Sequence, residues 1–553
     1  MLLLLGMLLI PAICAMCIAI DLQYSFLKKI VYLIVVVVLL VLPALFLKAR
    51  TYFIVEGIFN FLFFPIDLAS LYLNKQPTSI TFLQNIYSTN FNEAIELVSF
   101  MWAFVLLVIL LWSIYFILAF RVNNHYIFNR RITKGFIITA FVLFIAGIIT
   151  MMAFLNNVHK ERNVVNTVKD ATELVWMKLY KIYPYNLYLE TIDLIQNKYK
   201  QHLLQEQVDA FRFGISPINN RPAPEIYILV IGETARYDHF GLNGYYRNTT
   251  PLLEQQKNLI EYDSAFSQAN LTSASLPLMV TRATADQPQL AFAEKSLPEA
   301  FKEAGAKVGW ITKQAPYPFV ERIMGSCDYA YSYAKGIDVD ANYDGEMIEQ
   351  LREYTEDTTQ FFVLHSLGCH FRYEQRYPKE FEQYLPVFGK TFSYSLISES
   401  NKDKLINAYD NAILYTDYFL NELIEYTDSL NRPAVILYMP DHGESFWDDE
   451  RKLSLHGSYQ VTEYEYHVPL FVWYSDEYYA LHPDKVIYLQ QNKKTPVSSD
   501  VLFYSLLDLA EISSIVDSTR SICSPFLQRT DSFPIITGSG ETKSFCVSKS
   551  ANP

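Results

Sequence analysis

The sequence predicts an α-helical transmembrane domain of five spans followed by a layered α/β domain. Five long apolar segments fill the first 155 residues, where charged residues are sparse. After residue 225, runs of β-branched and apolar residues alternate with helical runs, which is typical of a mostly parallel sheet covered by helices. Two of the strand-like runs lead directly into acidic and histidine residues. That pattern predicts a ligand site at the carboxyl edge of the sheet.

The composition narrows the class of protein. The chain has 553 residues, a formal net charge of -13 and six cysteines, and its length exceeds that of one ordinary domain. An acidic chain without a basic stripe binds nucleic acid poorly, because phosphate neutralisation needs clustered Lys and Arg. The four cysteines of the α/β half are scattered, so we expect no cysteine zinc site, and their disulfide pairing stays open. These four are Cys327, Cys369, Cys523 and Cys546.

Each apolar segment is long enough to span a bilayer, which takes about 20 residues. The segments are Leu2–Ile20, Ile30–Leu47, Tyr52–Leu73, Val98–Phe120 and Phe136–Leu155. The first has no basic leading region and is followed closely by the second, so we interpret it as a span and not as a cleaved signal. Glu56, Pro65 and Asp67 make the third the least regular. We expect a transmembrane domain over residues 1–155.

Basic residues in the short loops set the orientation of the spans. Four of them lie between the fourth and fifth segments: Arg121, Arg130, Arg131 and Lys134. They place this loop and the N-terminus in the cytoplasm, so the fifth span delivers the rest of the chain to the outside. Lys48 and Arg50 agree with this orientation, whereas Lys28 and Lys29 oppose it.

Residues 156–221 predict a bridging helix and a linker between the two halves. The stretch from Val164 to Asp209 is mostly helical in character, with a break at Pro184. Its aromatic residues stand among charged ones, which favours the headgroup layer of a membrane. The stretch from Pro217 to Pro224 is rich in Pro and Asn and predicts the linker. The α/β domain then covers residues 222–553.

The α/β half contains five strand-like runs and three clear helical runs. The strands are Ile226–Ile231, Lys307–Thr312, Phe361–His365, Ala434–Met439 and Val468–Tyr474, and the helices are Leu297–Ala304, Gly345–Tyr354 and Lys402–Ser429. Glu233 follows the first strand, and Asp441 and His442 follow the fourth. We expect these side chains to meet around one cation at the sheet edge. Oxygen and nitrogen ligands without cysteine favour Zn²⁺, whereas Mg²⁺ or Mn²⁺ recruits more carboxylates and water.

Further candidate residues lie near the same edge. Thr272 precedes an apolar stretch, where a helix N-terminus would favour an incoming phosphate, although helix capping is the commoner role for such a threonine. His365, His370 and His456 are each more often structural when taken singly. A metal ion, a hydroxyl and a helix terminus together suit phosphoryl transfer through a covalent phosphothreonine.

The loop between the third and fourth segments carries Asn85, Thr89 and Glu93. Their spacing of four residues would align them on one face of a helix. One carboxylate with two hydrogen-bonding neighbours could hold a small cationic headgroup. On spacing alone, a solvated helix face is the commoner explanation.

Six motifs, in their order and spacing, resemble the phosphoethanolamine transferases of Gram-negative inner membranes. The motifs are Gly232-Glu233-Thr234-Ala235-Arg236, Asn243-Gly244-Tyr245, Thr272 before Pro277, Leu364-His365 with Gly368-Cys369-His370, Asp441-His442-Gly443-Glu444-Ser445 and Leu455-His456-Gly457. That family includes lipid A-modifying and mobile colistin-resistance enzymes and belongs to the alkaline phosphatase and sulfatase superfamily. The resemblance covers nearly the whole chain and implies an α/β/α sulfatase-like fold for the second half.

The resemblance also implies roles for the candidate residues. One zinc would be held firmly, and whether a second binds stays open. The ligands of the first would be Glu233, Thr272, Asp441 and His442, with Thr272 as the nucleophile. His370 and His456 would contact the donor phosphate or the second zinc, and His365 would lie behind the ligands or near the substrate.

The reaction and partners follow from the same resemblance. Phosphoethanolamine would pass from phosphatidylethanolamine to lipid A or another envelope glycolipid. Asn85, Thr89 and Glu93 match the family's periplasmic loop, which holds the ethanolamine headgroup, and this match outweighs the solvated-face explanation. The enzyme would be a monomer in the bacterial inner membrane, in contact with membrane lipids, with its catalytic domain in the periplasm.

Two features depart from the family pattern. Gln268 to Met279 lacks the cysteines that flank the nucleophile in better-known members, and Phe371-Arg372 stands where a Gly-Pro pair is common. Both leave the acceptor open between a lipid A phosphate, a core heptose and another surface glycan. The alternative functions are a phosphoglycerol transferase of the lipoteichoic acid synthase type, a membrane-anchored phosphatase or sulfatase, and an inactive envelope scaffold.

Overall fold

The computed structural model describes residues 1–19, 26–74, 77, 78, 83, 86, 102–128, 130–158, 182, 183, 185–216, 221–333, 343–388, 397–458 and 460–546. The chain divides into two compact units, Met1–Lys198 and Tyr199–Pro553. The domain boundaries expected at residues 155 and 221 stay predictions. Each of the six cysteines lies in the described part of the chain and is a free thiol.

Helices overlap all five apolar segments of the first unit. They are α1 (Leu2–Ile18), α2 (Phe26–Val41), α3 (Ala49–Asn74), α4 (Trp102–Phe120) and α5 (Arg130–Val158). Within the described ranges, the stretch Ala49–Tyr72 is the one helix whose length and composition would allow it to cross a membrane, and three shorter helices are also apolar. The topology of five spans therefore stays a prediction.

Hydrogen bonds hold one oxygen of the buried Asp67 carboxylate in the irregular third segment. Asp67 is fully buried in α3, and one of its carboxylate oxygens accepts from the backbone and hydroxyl of Thr78, each at 2.9 Å, and from Asn186 Nδ2 at 3.0 Å. These hydrogen bonds offset part of the cost of burying the carboxylate, whose second oxygen has no hydrogen-bond partner among the described residues. Helix α6 (Tyr185–Ala210) begins directly after Pro184, where the sequence predicts a break.

The second unit is built around a mixed sheet with helices on both faces. Its strands are β1 (Ile226–Gly232), β2 (Leu259–Glu261), β3 (Ala265–Phe266), β4 (Lys307–Thr312), β5 (Tyr329–Ser332), β6 (Gln360–His365), β7 (Ala434–Pro440), β8 (Ser445–Phe446), β9 (Ser454–Leu455), β10 (His467–Val468), β11 (Phe471–Tyr474), β12 (Val497–Ser498), β13 (Ser532–Ile536) and β14 (Thr542–Cys546). Its helices are α7 (Thr272–Met279), α8 (Leu297–Glu303), α9 (Pro318–Ser326), α10 (Glu346–Tyr354), α11 (Lys402–Asp428), α12 (Glu463–Tyr466), α13 (Asp476–Leu481), α14 (Pro483–Asn492) and α15 (Val501–Leu509).

The main sheet has the strand order β2-β11-β7-β1-β6-β4-β5. Strand β1 lies at its centre and pairs in parallel with β6 and β7, while β11 runs antiparallel to both β7 and β2. The run Val468–Tyr474, predicted as one strand, is divided between β10 and β11. Pro469 stands at the division, and proline has no N–H to give to a sheet ladder.

Burial on both faces of β1 explains why its sequence is apolar without alternation. Tyr227, Leu229 and Ile231 pack on one face against α7, α8 and α15. Ile226 and Val230 pack on the other face against α10 and α11. The three layers confirm the prediction of a layered α/β domain for this half of the chain.

Candidate active site and metal centre

The carboxyl ends of β1 and β7 bring the predicted ligands together. In the register of this parallel pair, Gly232 stands opposite Pro440. The next residues of the two strands, Glu233 and Asp441, therefore leave the sheet side by side, with the Asp441 backbone N–H donating to the Gly232 carbonyl at 3.0 Å. The edge predicted from the sequence is the edge at which these side chains lie.

Glu233, Asp441 and His442 form a fully buried cluster. One ligand atom from each of the three lies within 4.8 Å of the others. His442 Nε2 is 3.6 Å from Glu233 Oε1 and 3.5 Å from Asp441 Oδ2. The three side chains thus surround a common point, as expected from the sequence.

Thr272 places its hydroxyl at this cluster. Its Oγ1 lies 3.1 Å from Glu233 Oε2 and 3.3 Å from His442 Nε2. Helix α7 begins at Thr272, and Ser275 of the same helix donates to the Asp441 carbonyl at 2.7 Å. The predicted helix start is confirmed, and the hydroxyl faces the cluster instead of capping the helix. The N-terminus of this helix, whose backbone N–H groups favour an anion, therefore lies at the cluster.

Backbone contacts fix the orientation of His442 and Asp441. His442 Nδ1 lies 2.9 Å from the Gly443 carbonyl, which can only accept, so Nδ1 carries the proton and Nε2 offers its lone pair to the cluster. Asp441 Oδ1 accepts from the backbone N–H groups of His442 at 2.8 Å and Thr234 at 3.2 Å. Asp441 Oδ2 is buried and, among the described residues, has no hydrogen-bond partner.

The pKa values of the two carboxyl groups in the cluster are shifted in opposite directions. Burial and the adjacent Glu233 raise the pKa of Asp441 well above its ordinary value. Burial also raises the pKa of Glu233, but the neighbouring imidazoles, chiefly that of His442, outweigh it and bring this pKa to about 2. Burial and the adjacent His456 lower the pKa of His442 to about 4, so its imidazole is neutral at neutral pH.

This donor set fits a metal ion. Two carboxylates and a neutral imidazole converge with a hydroxyl, and the buried Asp441 Oδ2 lacks the partner that such an atom normally has. A cation would satisfy this oxygen and compensate the buried negative charge. Oxygen and nitrogen donors without cysteine suit Zn²⁺ at a catalytic site with an open position.

Gln314 orients Glu233. This role was not predicted from the sequence. It follows β4 at the same edge of the sheet, and its Nε2 donates to Glu233 Oε2 at 2.7 Å and to the Ser366 carbonyl at 3.0 Å. The signal was present, because Gln314 follows a predicted strand as Glu233 does. A search limited to metal-ligating side chains does not select an amide such as that of Gln314.

Unusual backbone conformations surround Glu233. Thr234 has a φ of 55°, which is rare for a β-branched residue. Its carbonyl accepts from the buried Tyr409 hydroxyl at 2.7 Å, which holds it in place. Gly368 has a φ of +45°, and a Cβ atom there would lie 2.9 Å from the Glu233 carbonyl oxygen. The glycine of this motif is therefore required by a close backbone approach to the site.

His456 reaches the cluster from the loop after β9. Its ring centroid lies 4.1 Å from that of His442. Its Nδ1 is 3.0 Å from Glu444 Oε1, while the Tyr373 hydroxyl donates to Glu444 Oε2 at 2.7 Å. Burial raises the pKa of Glu444 to about 8. Glu444 lies in the motif Asp441-His442-Gly443-Glu444-Ser445. That it holds His456 is visible only in the fold and not in the sequence.

The two remaining histidines lie nearby in different settings. His370 is half-buried with Nδ1 3.3 Å from the Phe371 carbonyl, and its imidazole is among those that lower the pKa of Glu233. His365 is buried at the end of β6, with Nδ1 3.4 Å from the Thr312 hydroxyl. Burial lowers the pKa of His365 to about 4, so it is neutral. The roles expected of these two histidines stay predictions.

The predicted headgroup residues cannot be placed in this way. Asn85, Thr89 and Glu93 lie outside the described residues. Their role stays a prediction.

A family model and several curated relatives match the chain. The model described as Sulfatase matches residues 225–512, just over half of the chain. The Kdo(2)-lipid A phosphoethanolamine 7''-transferase of Escherichia coli is 31% identical over 264 residues, which are 45% of this chain and 44% of that one. The phosphoethanolamine transferase EptA of Helicobacter pylori is 30% identical over 294 residues, 51% of this chain and 52% of that one. The chain thus spans about half the length of these relatives.

Two solved structures have a similar fold. The C-terminal periplasmic domain of EcEptC from Escherichia coli, in complex with Zn, has a TM-score of 0.53 at 25% identity and covers 60% of this chain and 95% of that one. The integral membrane protein EptA from Neisseria meningitidis, a lipooligosaccharide phosphoethanolamine transferase, has a TM-score of 0.64 at 19% identity and covers 86% of this chain and 90% of that one. The chain therefore belongs to the sulfatase family, and the relatives that it matches are phosphoethanolamine transferases.

Proposed function

We propose that this protein is a membrane-bound phosphoethanolamine transferase. It moves phosphoethanolamine from phosphatidylethanolamine to a lipid A-type glycolipid through a covalent phosphothreonine. The observation that carries the proposal is the Thr272 hydroxyl at 3.1 Å from Glu233 and 3.3 Å from His442, at the start of a helix. The names of the curated relatives support the group that is transferred.

The proposed cofactor is zinc. Glu233, Asp441, His442 and the Thr272 hydroxyl would hold one ion, and the zinc complex of the similar EptC domain supports this choice of metal. A bound Zn²⁺ supplies Lewis acidity, which lowers the pKa of a coordinated hydroxyl and balances negative charge on phosphoryl oxygens. His370 and His456 would contact the donor phosphate or hold a second ion.

The side chains of the protein divide the work of the first half-reaction. The Thr272 oxygen attacks the donor phosphorus, a new P–O bond forms, and the bond from phosphorus to the diacylglycerol oxygen breaks. Diacylglycerol leaves with the proton that Thr272 gave up. The N-terminus of α7 and the imidazole of His456, held through Nδ1 by Glu444, stabilise the charge that develops on the phosphoryl oxygens.

The second half-reaction reverses these bond changes with a new nucleophile. An oxygen of the acceptor glycolipid attacks the phosphothreonine, the bond from Thr272 to phosphorus breaks, and the acceptor proton returns to the Thr272 hydroxyl. Gln314 keeps Glu233 in place throughout, because it holds both the carboxylate and the neighbouring strand end. Either a lipid A phosphate or a sugar hydroxyl would serve as the acceptor.

The membrane half completes the proposal. Five spans would hold a cytoplasmic N-terminus and a periplasmic catalytic domain in a monomer of the bacterial inner membrane, where donor and acceptor lipids are both within reach. Asn85, Thr89 and Glu93 would bind the ethanolamine ammonium on the periplasmic side. The similarity in fold to an integral membrane phosphoethanolamine transferase supports this arrangement.

Donor choice tests the proposed function. The full chain in lipid vesicles would be given headgroup-labelled phosphatidylethanolamine or phosphatidylglycerol, with lipid A as the acceptor. We expect label from phosphatidylethanolamine on the acceptor, release of diacylglycerol, and neither product with Thr272→Ala. Transfer from phosphatidylglycerol instead would indicate a phosphoglycerol transferase, and free phosphoethanolamine formed without acceptor would indicate a hydrolase.

A further inference from the structure

We propose that the C-terminal hairpin, formed by β13, β14 and the turn between them, is a positioning element of the active site. Gly538 in its turn sets the place of His456 relative to Thr272. This inference rests on the proposed function, because it assigns a positioning role toward two of the residues that carry it. It concerns a part of the chain beyond the matched family region, which ends at residue 512.

The turn of the hairpin touches the His456 loop backbone to backbone. A Cβ atom on Gly538 would lie 1.8 Å from the Gly457 carbonyl oxygen and 2.5 Å from its carbon. The Gly538 N–H donates to the Ser458 carbonyl at 3.3 Å. No side chain fits between these two segments, so the hairpin fixes the position of the residue that follows His456.

Gly457 also contacts the segment that carries the proposed nucleophile. Gly457 has a φ of +76°, and a Cβ atom there would lie 2.5 Å from Leu271 Cδ2. Leu271 directly precedes Thr272 and caps helix α7. Gly457 is therefore packed between the hairpin turn on one side and the start of the nucleophile helix on the other.

Hydrogen bonds join the same three segments. The Ile536 N–H of β13 donates to the Gln268 carbonyl at 2.7 Å, four residues before Thr272. Asn270 Nδ2 donates to the Ser458 carbonyl at 3.0 Å. The hairpin, the nucleophile segment and the His456 loop thus bind one another in a closed set of contacts.

Aromatic contacts anchor the two strands of the hairpin to the body of the domain. The Phe533 ring of β13 lies 5.2 Å from that of Phe266 in β3, and the Phe545 ring of β14 lies 4.9 Å from that of Tyr466. Because the hairpin is fixed at both strands, its turn can act as a rigid support. The sheet edge places Glu233 and Asp441, whereas His456 lies on a loop and needs this second support.

The test compares Gly538→Ala with a matched glycine substitution. A Cβ atom at Gly325, an exposed position in α9, would meet nothing within 4 Å, so Gly325→Ala controls for the chemical change itself. We expect Gly538→Ala in the full chain, assayed below its melting temperature, to lower kcat about tenfold or more, with KM and zinc content close to those of Gly325→Ala.

A double-mutant cycle separates positioning from loss of stability. If Gly538 acts through His456, then Gly538→Ala combined with His456→Ala is no slower than His456→Ala alone. Multiplied losses in the double variant would overturn the proposal, and so would a Gly538→Ala variant with unchanged kcat. Leu271→Ala relaxes the same contact without adding an atom, and it repeats the cycle should Gly538→Ala fail to fold.

Failure of the hairpin proposal can be distinguished from failure of the proposed function. Unchanged turnover in Gly538→Ala, together with an inactive Thr272→Ala, would remove only the role of the hairpin. Full activity of Thr272→Ala would remove the proposed mechanism itself. Full activity of His456→Ala would end the hairpin proposal and leave the role of Thr272 intact.

Discussion

The Thr272 hydroxyl lies 3.1 Å from Glu233 Oε2, although 39 positions separate the two residues in the chain. Glu233 is placed by the end of a central β-strand, and Thr272 by the start of a helix that packs on the face of the same sheet. The proposed nucleophile and its carboxylate neighbour are thus positioned by different elements. Side chains that hold Thr272 or Glu233 in place should therefore affect activity without contacting substrate.

Replacing Gln314 should loosen Glu233. In Gln314→Ala the Glu233 carboxylate loses the donor at 2.7 Å that fixes Oε2. We expect about a tenfold loss of zinc affinity, the lower end of the range for groups that orient metal ligands. Zinc titration against a competing chelator measures it. Gln255→Ala is the control, because Gln255 is exposed and bonds only a nearby backbone carbonyl. Equal affinities in the two variants would contradict the role of Gln314.

Replacing the carboxyl group of Glu444 with an amide should impair His456 while the fold persists. Glu444→Gln keeps the shape of the side chain but replaces one of the two oxygens that meet Tyr373 and His456. We expect kcat for transfer to fall about 10- to 100-fold. Tyr373→Phe, which removes only the outer hydroxyl, should have a smaller effect. An unchanged kcat in Glu444→Gln would show that His456 needs no such partner.

Glu465 should make the stability of the folded chain depend on pH. Burial raises its pKa to about 7 in the folded protein, whereas it would titrate near the ordinary value of 4.5 when unfolded. The raised pKa means that stability is greatest at low pH and is lost as the pH rises from the unfolded value to the folded one. The loss amounts to about 3 kcal/mol at most.

Glu465→Gln tests this pH dependence, because it stays neutral and keeps a polar partner for Asn270 and Ser445. We expect its melting temperature to exceed that of the natural chain by more at about pH 8 than at about pH 5. A difference that is constant across this range would contradict the buried neutral carboxyl.

Removal of the metal should abolish transfer, since the cluster carries buried charge that only a cation balances. A strong chelator should inactivate the enzyme, and added Zn²⁺, but not Mg²⁺, should restore it. Asp441→Asn should lower the bound zinc at least about tenfold, because it replaces a proposed carboxylate ligand whose Oδ2 has no hydrogen-bond partner in the described part of the chain. Full activity of the chelated enzyme would remove zinc from the account.

The proposed metal ligands Glu233 and Asp441 share one property: each stands at the end of a strand that the sequence also revealed. Glu233 and Asp441 follow apolar strands, and parallel strands carry their ends to one edge, so their meeting could be foreseen. Gln314 and Glu444 act through other side chains, and their roles depend on distances that no spacing encodes. The same holds for Gly457 and Gly538, whose contact joins distant loops.

Two other parts of the fold were harder to predict from the sequence, each because of a local feature. The run Val468–Tyr474 has a strand composition throughout, but Pro469 divides it. The third apolar segment looked irregular because of Asp67, yet it forms the helix that best fits a membrane span. One oxygen of the Asp67 carboxylate accepts from Thr78 and Asn186, and the latter partner is distant in sequence.

The central claim is that Thr272 carries the transferred group. Full-length enzyme incubated with phosphatidylethanolamine but no acceptor, then quenched and digested, should yield a phosphoethanolamine adduct on the peptide that contains Thr272. Mass spectrometry should also show that added lipid A removes this adduct. An adduct on another residue, or transfer at the normal rate with no adduct in either the natural chain or Thr272→Ala, would contradict the account.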